Sequence, residues 1–337
     1  MSVFLTTLAA VVTVYVFLYY HIFKCSRRCE SAVRLKGKTA IVTGGNTGIG
    51  KATALELARR GARVVLACRS KQRAEAAVFD IRRESGNSEV LYMHLDLASL
   101  KSVRSFAETF LQTEPRLDLL VNNAGVMGPG GTEDGFDLAF GVNHLGHFLL
   151  TLLLLKRLKM AEGSRVVTVA GLLYRLGAVD FPNLAPRQDP VPPRSSWAHV
   201  LSYCDSKLCN VLFTRELANQ LEGTGVTCYC LHPGVVSSEL CRNAPVWQRL
   251  LLLPLGKLFF LDVEAGAQTT MHCCLQEGLE HYSGRYFSSC AVQEVSARAR
   301  DDAVARKLWE VSERLTDQTT PTSGTNPAHT SPTHSLR

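Results

Sequence analysis

The sequence predicts an α/β fold in which helices cover both faces of one doubly wound parallel sheet, in a single domain behind an N-terminal membrane anchor helix. Short apolar segments alternate with segments of helical periodicity along most of the chain, a pattern typical of such sheets. A glycine-rich turn joins the first apolar segment to the first helix, and the segment Val3–Phe23 is uncharged. With 337 residues, of which 46% are hydrophobic, the chain can form one domain of about 250–300 residues with extensions.

The N-terminal segment Val3–Phe23 is long enough to cross a membrane as a helix. At a rise of about 1.5 Å per residue, its length matches a hydrocarbon core of about 30 Å. A cleaved signal peptide, which would make the protein secreted, is the alternative. It fits less well, because no Lys or Arg precedes the apolar run and His21–Lys24 offers no small-residue cleavage site. We therefore predict an uncleaved anchor.

A basic linker, residues 24–36, follows the anchor and sets the expected topology. Its Lys and Arg residues are opposed by Glu30 alone, and such a flank normally stays in the cytosol. We expect a single-pass membrane protein of the endoplasmic reticulum or mitochondrial surface, with its body in the cytosol. The linker supplies much of the net charge of +7, so that charge does not indicate nucleic-acid binding.

The strands and helices of the domain, residues 37–315, are predicted from apolar periodicity and turn residues. Strands are expected at Thr39–Thr43, Arg63–Ala67, Val90–His94, Leu117–Val121, Arg165–Ala170 and Val226–Leu231. Helices are expected from the glycine turn to Arg60 and at Lys71–Ser85, Leu100–Gln112, Phe140–Lys159 and His199–Glu222. The proline-rich segment Asp180–Ser196 predicts a surface loop, and residues 316–337, rich in Thr, Ser and Pro, predict a disordered tail.

The eleven cysteines do not form a framework of closely spaced pairs. Cys228 and Cys230 alternate on a predicted buried strand, where a free thiol behaves as a small apolar side chain. This usage fits a reducing compartment. No His/Cys spacing resembles a metal site, so no metal is predicted.

The glycine-rich turn Thr43–Gly50 has the pattern T-G-x-x-x-G-x-G and lies at a strand-to-helix junction. Glycines permit a tight turn, and the helix N-terminus offers free N–H groups and a positive dipole end to a pyrophosphate. A nucleotide-hydrolysing P-loop is the alternative, but Ala52 follows Lys51 where that motif needs Ser or Thr. The turn therefore predicts dinucleotide binding on a Rossmann-type fold.

The end of the second strand indicates which dinucleotide is bound. An NAD-binding chain commonly has an acid there, whereas this chain has Cys68 and then Arg69. Together with Lys51, Arg69 suits a 2′-phosphate, so NADP(H) is predicted. A solvated surface arginine is the alternative reading of Arg69.

Tyr203 and Lys207 lie four residues apart on a predicted helix and therefore share one helix face. A nearby ammonium favours the ionised form of a phenol, whose ordinary pKa is about 10, and so suits it to proton exchange. By itself this spacing is common on amphipathic helices. Its meaning depends on the other motifs of the chain.

Five motifs occur here in the order and spacing of the short-chain dehydrogenase/reductase family, which this sequence resembles over nearly the whole domain. They are the glycine turn, Asn122–Gly125, Asn143, the Tyr203/Lys207 pair and His232–Gly234. The segments Lys36–Thr43, Val142–Phe148 and Leu212–Leu217 resemble the membrane-anchored retinol dehydrogenase branch. The resemblance implies an oxidoreductase that acts on CH–OH groups.

The resemblance also assigns roles to individual residues. It makes Tyr203 the proton donor to the substrate carbonyl, Lys207 the group that lowers the pKa of that tyrosine, and Asn143 the holder of a relay water. Asp96 is expected to bond the adenine amine, with a helix N-cap as the alternative role. The cofactor-binding set implied is Gly44, Asn46, Thr47, Gly48, Ile49, Gly50, Arg69, Asp96, Asn122, Ala124, Gly125, Tyr203, Lys207, Pro233, Gly234 and Val236.

One residue that the family normally uses is missing. The family has a serine at the end of the fifth strand, and Gly171 occupies that position here. Thr168 is expected to point to the other face of the strand and Ser164 to be too distant, which leaves a water as substitute. Loss of one oxyanion donor costs on the order of 10²–10³ in turnover, so we expect a slow enzyme. An NADP-binding pseudoenzyme that acts by interaction is the alternative.

The segment Val246–Leu261 is strongly apolar and falls where the family has its variable substrate lid. Its character suits a lipophilic alcohol, aldehyde or ketone that arrives from the bilayer, and retinoids are the substrate class that the resemblance implies. A core helix or a homodimer contact is the alternative for this segment.

Overall fold

The structure is a computed structural model that describes residues 27–186, 195–234 and 261–317, together with Thr13 and Val236. Its eight strands form one sheet in the order β3-β2-β1-β4-β5-β6-β7-β8. Every neighbouring pair is parallel except β7 and β8, which form an antiparallel hairpin. The strands are β1 (Thr39–Thr43), β2 (Arg63–Cys68), β3 (Val90–His94), β4 (Leu119–Asn122), β5 (Arg165–Val169), β6 (Thr227–His232), β7 (Tyr286–Ser288) and β8 (Ala291–Gln293).

Helices cover both faces of this sheet, which confirms the predicted doubly wound α/β fold. One face carries α1 (Gly48–Arg59), α2 (Lys71–Ser85) and α6 (Val263–Leu275). The other carries α3 (Leu100–Thr113), α4 (Leu138–Lys159) and α5 (Ser196–Gln220). A last helix, α7 (Asp302–Leu315), packs against α5.

The central strands are largely apolar because both of their faces are buried, and every residue of β1, β4 and β5 is buried. In β1, Val42 packs toward α1 and α2, whereas its neighbour Ile41 packs toward α3 and α4. The same alternation holds in β2 for Leu66 and Val65. These two strands therefore each contribute to two hydrophobic cores, and this part of the sheet is held from both sides.

The helix α4 is the one helix among the described residues that is long and apolar enough to cross a membrane, by length and composition alone. Its most apolar 18-residue stretch is 78% buried inside the protein, where Phe148, Leu149 and Leu150 pack in the core. We assign it to the core for that reason. A π-helical turn at Gly141–Leu145 interrupts it and carries Asn143.

All six predicted strands and five predicted helices occur, with ends that differ from the prediction by three residues at most. The sequence reasoning did not define the bounds of β7, β8, α6 or α7. The predicted anchor, apart from Thr13, lies outside the described residues, as do 187–194 of the proline-rich loop, 246–260 of the expected lid and 318–337 of the tail. Thr316, placed in the tail by sequence, is buried and donates a hydrogen bond to the Ser312 carbonyl.

The direction in which strand order grows reverses between β1 and β4. In open α/β sheets, the crevice outside the carboxyl ends of two such strands is the usual ligand site. The glycine turn begins at the last residue of β1, and Asn122–Gly125 begins at the last residue of β4, both at this edge. The fold therefore brings the two predicted cofactor-binding segments together.

Candidate active site

The glycine turn after β1 lies directly against the turn after β4. Gly44 and Gly48 adopt positive φ angles of 64° and 54°, a backbone region that glycine enters without strain. A methyl group at Gly44 would lie 3.1 Å from both Cα and Cβ of Ala124. The side chain of Asn123 would be in conflict with a methyl group at Gly50, at 2.5 Å. The glycines therefore permit the close approach that forms the floor of the crevice.

The N-terminus of α1 opens into this crevice and is free to bind an anion. Thr47 is its N-cap residue, but the threonine side chain makes no capping hydrogen bond, and the first turn contains no acid. The backbone N–H groups of the first turn, Gly48–Gly50, together with the helix dipole, suit a pyrophosphate. Asn46 and Ile49 flank this end, so the turn fits the dinucleotide that the sequence predicts.

The Thr43 hydroxyl at the end of β1 holds the two turns together. Its oxygen accepts hydrogen bonds from the backbone N–H groups of Asn123 and Ala124, at 2.9 and 3.0 Å. The side-chain amide of Asn123 returns a bond to the Thr43 carbonyl at 2.9 Å. The hydroxyl has two acceptors for its own proton, Nε2 of His147 at 2.9 Å and the Val121 carbonyl at 3.3 Å.

His147, on the same helix as Asn143, connects the Thr43 hydroxyl to that helix. Nδ1 lies 3.1 Å from the Asn143 carbonyl, which can only accept, so the ring proton is on Nδ1 and Nε2 is left to accept from Thr43. Burial lowers the pKa of His147 to about 4, although the bond to that carbonyl opposes the shift. The imidazole is therefore neutral at physiological pH, in one defined tautomer.

The Asn143 side chain clamps the turn after β4 against α5. Its Oδ1 accepts from the Val126 N–H at 2.8 Å, and its Nδ2 donates to the Val126 carbonyl and to the Ser206 hydroxyl at 3.0 and 2.9 Å. Ser206 in turn donates to the Tyr203 carbonyl at 2.7 Å. Asn143 therefore positions the helix of the tyrosine, and its expected role as holder of a relay water stays a prediction.

Tyr203 and Lys207 are neighbours on α5, as their spacing predicts. The Lys207 ammonium lies 5.4 Å from the centre of the Tyr203 ring and donates to the Val169 carbonyl at 2.9 Å. Burial lowers the pKa of Lys207 to about 8. A methyl group at Gly125 would lie 3.4 Å from Nζ, so the absence of a side chain there lets the ammonium face the cofactor crevice.

Gly171 faces the tyrosine hydroxyl from the end of β5. A methyl group at this position would lie 4.0 Å from Oη of Tyr203, with no other atom as near. However, Gly171 has a φ of 115°, which side chains rarely adopt. Its N–H donates to the Leu231 carbonyl, and its own carbonyl accepts from the Tyr286 hydroxyl at 3.2 Å. The backbone here is thus shaped for glycine, which sequence alone did not indicate.

The two hydroxyls that the sequence analysis considered as substitutes, Ser164 and Thr168, lie before and within β5. Ser164 donates to the Leu158 carbonyl at 2.8 Å, before the strand begins. Thr168 is completely buried within β5, in register with Asn122 and Cys230 on the adjoining strands.

The predicted 2′-phosphate site is only partly formed by its two expected cations. Arg69 is exposed and its Nε lies 3.9 Å from a carboxylate oxygen of Asp96. Lys51 instead forms an ion pair with Asp80 at 2.6 Å, which lowers the pKa of that carboxyl. Both expected cations therefore have an anionic partner, and the partner of Lys51 is the closer one. The more exposed Arg69 stays the predicted cation for a 2′-phosphate.

Asp96 does not cap α3, the alternative role that its position suggested. The N-cap of α3 is Ser99, which accepts from the Ser102 N–H. Asp96 accepts from the Ala98 N–H at 2.9 Å and so closes a tight turn after β3. This turn holds the carboxylate at the carboxyl edge of the sheet.

The remaining predicted cofactor residues fall into two groups. Asn122 is buried and donates to the Thr151 hydroxyl, so its side chain supports the crevice from beneath. Val236 and Ile49 both approach Gly266 on α6, where a methyl group would lie 2.5 and 3.4 Å from them. Pro233 and Gly234 lie between β6 and this contact.

Four residues with a part in this arrangement were not in the predicted set: Thr43, Asn123, His147 and Ser206. Thr43 and Asn123 belong to motifs that the sequence singled out, and each is a short polar side chain at the end of a buried strand. His147 follows Asn143 by one helical turn. A buried histidine on an otherwise apolar helix was the signal that could have identified it.

Comparison with known proteins agrees with this geometry. The sequence profile of the short chain dehydrogenases matches residues 38–181. Dehydrogenase/reductase SDR family member 13 of Bos taurus is 56% identical over 303 residues, 89% of this chain and 78% of that protein. Human retinol dehydrogenase 12 is 50% identical over 286 residues, 84% of this chain and 88% of that protein.

A solved structure provides the same comparison at the level of the fold. The short chain dehydrogenase of Burkholderia cenocepacia J2315, in complex with NADP, is 25% identical with a TM-score of 0.58, over 75% of this chain and 96% of that one. The predicted resemblance to this family and to its retinol dehydrogenase branch is therefore confirmed.

The buried histidines predict how stability depends on pH. Burial lowers the pKa of His147 to about 4, of His144 to about 3 and of His232 to about 4. The unfolded chain binds protons at these residues below pH 6.5 and the native protein does not, so the free energy of unfolding must fall as pH falls. Between pH 6.5 and 5, we expect the free energy of unfolding of His147→Gln to decrease by about 1.5 kcal/mol less than that of the wild type.

Urea unfolding of the full chain in detergent measures this difference. The exposed His281→Gln is the control and should retain the pH dependence of the wild type. An unchanged pH dependence in His147→Gln would contradict the assignment of a neutral, buried imidazole.

Two substitutions at Gly171 can separate the effect of backbone strain from the effect of the missing hydroxyl. Gly171→Ser and Gly171→Ala share the unfavourable φ, which costs on the order of 1–3 kcal/mol of stability. Only the serine offers a hydroxyl to the reacting oxygen. We expect kcat of Gly171→Ser to exceed that of Gly171→Ala by about 10²-fold. Equal values of kcat would show that a hydroxyl at this position does not contribute.

Proposed function

The chain is a member of the short-chain dehydrogenase/reductase family, and from that premise we propose that it uses NADP(H) to interconvert a lipophilic alcohol and its aldehyde or ketone. Membership makes it an NAD(P)-dependent oxidoreductase that acts on CH–OH groups. Retinoids are the proposed substrate class, because human retinol dehydrogenase 12 is 50% identical to this chain over the 286 aligned residues. The proposed anchor, residues 3–23, keeps the enzyme at the membrane where such substrates dissolve.

One observation supports this proposal above the others: a buried ammonium lies between the tyrosine and the cofactor crevice. Lys207 is 2% exposed, and its hydrogen bond to Val169 uses one of its three N–H groups. A buried cation is costly unless further partners satisfy it. The ribose hydroxyls of a bound dinucleotide would supply such partners at the position beside Gly125.

We assign each part of the cofactor to a different group of residues along the crevice. The α1 N-terminus at Gly48–Gly50 would bind the pyrophosphate, Arg69 the 2′-phosphate, and Asp96 the adenine. Ala124 and Gly125 would border the ribose next to Lys207, with Pro233–Val236 on the nicotinamide side. When bound, the cofactor supplies or accepts the two-electron reducing equivalent.

The chain itself contributes proton transfer and position. In the direction of reduction, the Tyr203 hydroxyl donates its proton to the carbonyl oxygen of the substrate. The positive charge of Lys207 favours the phenolate that remains. Asn143 and Ser206 fix the helix turn of Tyr203, so the hydroxyl does not have to be positioned during the reaction.

Gly171 supports a second candidate function, a pseudoenzyme that binds NADP(H) and acts through interaction. The position nearest the tyrosine hydroxyl offers no donor, and the backbone there favours glycine. Against this stand the complete Tyr203, Lys207 and Asn143 set and the neutral His147 that supports it. We therefore favour an enzyme of low turnover.

Replacement of the proton donor tests the proposed enzyme. With NADPH and all-trans-retinal, Tyr203→Phe should lower kcat by about 10²–10⁴-fold because no acid remains at the carbonyl oxygen. The dissociation constant of NADPH should change little. The exposed Tyr282→Phe is the matched control. A wild-type protein that binds NADPH tightly but shows no turnover would support the pseudoenzyme instead.

Arg69 predicts the choice between the two dinucleotides. Arg69→Ala should weaken NADPH binding by about tenfold, since it removes a charge-assisted hydrogen bond to the 2′-phosphate. The affinity for NADH should stay unchanged. Lys71→Ala, which removes an exposed cation two residues away, serves as the control in the same fluorescence titration. Equal losses for NADPH and NADH would contradict the assignment of Arg69.

A further inference from the structure

We propose that the carboxyl edge of the sheet is a membrane-docking surface, so that the opening of the active site lies against the lipid bilayer. The inference rests on the proposed anchor at residues 3–23. It adds an orientation of the domain, which an anchor and a linker alone do not define. The partner is the apolar and headgroup region of a lipid surface.

The first observation is a group of exposed leucines directly after Gly171. Leu172, Leu173 and Leu176 lie on the short helical turn that follows β5, and each is between 41 and 56% exposed. Large apolar side chains grouped at a surface commonly mark an interaction site. Because the turn begins beside Gly171, these leucines border the approach to the Tyr203 hydroxyl.

The start of α5 adds two further exposed apolar residues. Trp197, 63% exposed, and Leu201 are one helical turn apart and therefore share a helix face. The chain runs through α5 from the carboxyl edge, so both lie on the same side of the sheet as the exposed leucines. Tryptophan, with an apolar ring and one polar N–H, favours the boundary between hydrocarbon and water.

The route of the chain from the anchor reaches this same edge. The Ser31 hydroxyl donates to the Leu275 carbonyl at the end of α6, and the Cys29 N–H donates to Gln268 nearer its start. The Cys290 thiol, just after β7, donates to the Arg27 carbonyl. Traced from residue 31 back to 27, the chain therefore runs toward the carboxyl ends of the strands.

The position of Arg27 decides which side of the domain faces the membrane. Only residues 24–26 of the basic linker separate the anchor from Arg27, and the four steps from residue 23 to 27 span at most about 14 Å when extended. A membrane that contains residues 3–23 must therefore lie close to the carboxyl edge. The exposed leucines and Trp197 lie on that edge.

The charges around this surface favour contact through apolar groups. Arg175 is exposed between the leucines, and Arg298 donates to the Gly177 carbonyl. The carboxylate of Asp205, which accepts from Ala178, and the nearby Asp180 oppose them. With both signs present, a zwitterionic lipid surface should suffice, and anionic lipid should add little.

Quenching by lipid-borne spin labels tests the orientation directly. The full chain is placed in phosphatidylcholine vesicles that contain doxyl-labelled phosphatidylcholine, with a fluorophore on Leu176→Cys. Met160→Cys is the matched control, because Met160 is equally apolar and 71% exposed but lies beyond the C-terminal end of α4, at the opposite edge. Labelled wild type supplies the background from native thiols.

We expect the fluorophore at position 176 to be quenched at least about threefold more than the one at position 160, since docked residues enter the headgroup boundary. Equal quenching at both positions, or none at 176, would overturn the proposal. A label at 176 that is shielded from aqueous iodide as well as from the lipid label would show that another segment or a second copy covers it. That result would overturn the proposal too.

A kinetic comparison tests the docking role of Trp197 independently. Trp197→Ser should raise KM for retinal in vesicles by at least about fivefold, since one large apolar contact is lost. KM for a water-soluble aldehyde should stay unchanged, and Met160→Ser should alter neither. A rise for both substrates would mean that Trp197 contacts the substrate itself, which would contradict the docking role.

The quenching experiment needs no turnover, so the two proposals can fail separately. An inactive protein with a quenched label at 176 would contradict the proposed enzymatic function and support the docking surface. An active protein with an unquenched label would contradict the docking surface and support the enzymatic function.

Discussion

A buried positive charge is the constraint on which the rest of this site depends. Removal of an ammonium from water is costly, and Lys207 is offset among the described residues by the Val169 carbonyl and the face of Tyr203. Its lowered pKa, about 8, expresses that cost. The surrounding sequence keeps the space open, because a side chain at Gly125 would occupy the crevice directly against the ammonium.

A chain of hydrogen bonds carries this arrangement back to the glycine turn. The Thr43 hydroxyl accepts hydrogen bonds from the turn after β4 and lies within hydrogen-bond distance of Nε2 of His147. The other ring nitrogen of His147 donates to the Asn143 carbonyl. The Asn143 amide then reaches Ser206 on the helix of Tyr203. Cofactor crevice and proton donor are therefore parts of one buried network, in which each polar group needs its neighbour.

The sequence predicted what depends on local pattern. Apolar strands, the glycine turn and the four-residue spacing of Tyr203 and Lys207 follow from periodicity, and the structure has them where they were expected. It did not predict what depends on which side chains meet across the fold. The pairing of Lys51 with Asp80 and the hydrogen bonds of Thr43 to the turn after β4 each join elements whose register is set only by tertiary packing.

Gly171 shows the same limit at the reacting centre. Its identity is visible in the sequence and its missing hydroxyl follows at once. The φ of 115° does not, because it reflects how β5 leaves the sheet against β6 and β7. The backbone at this position therefore has a conformation that favours glycine, and a serine there would be strained.

Proton uptake on cofactor binding tests the central role of Lys207 most directly. At pH 8 about half of a group with a pKa of about 8 is deprotonated, and a bound anionic dinucleotide should recharge it. Calorimetry of NADPH binding in buffers of different ionisation enthalpy should therefore record an uptake of up to about half a proton per site in the wild type. Lys207→Met should show none. No uptake in the wild type, or the same uptake in both proteins, would contradict the account.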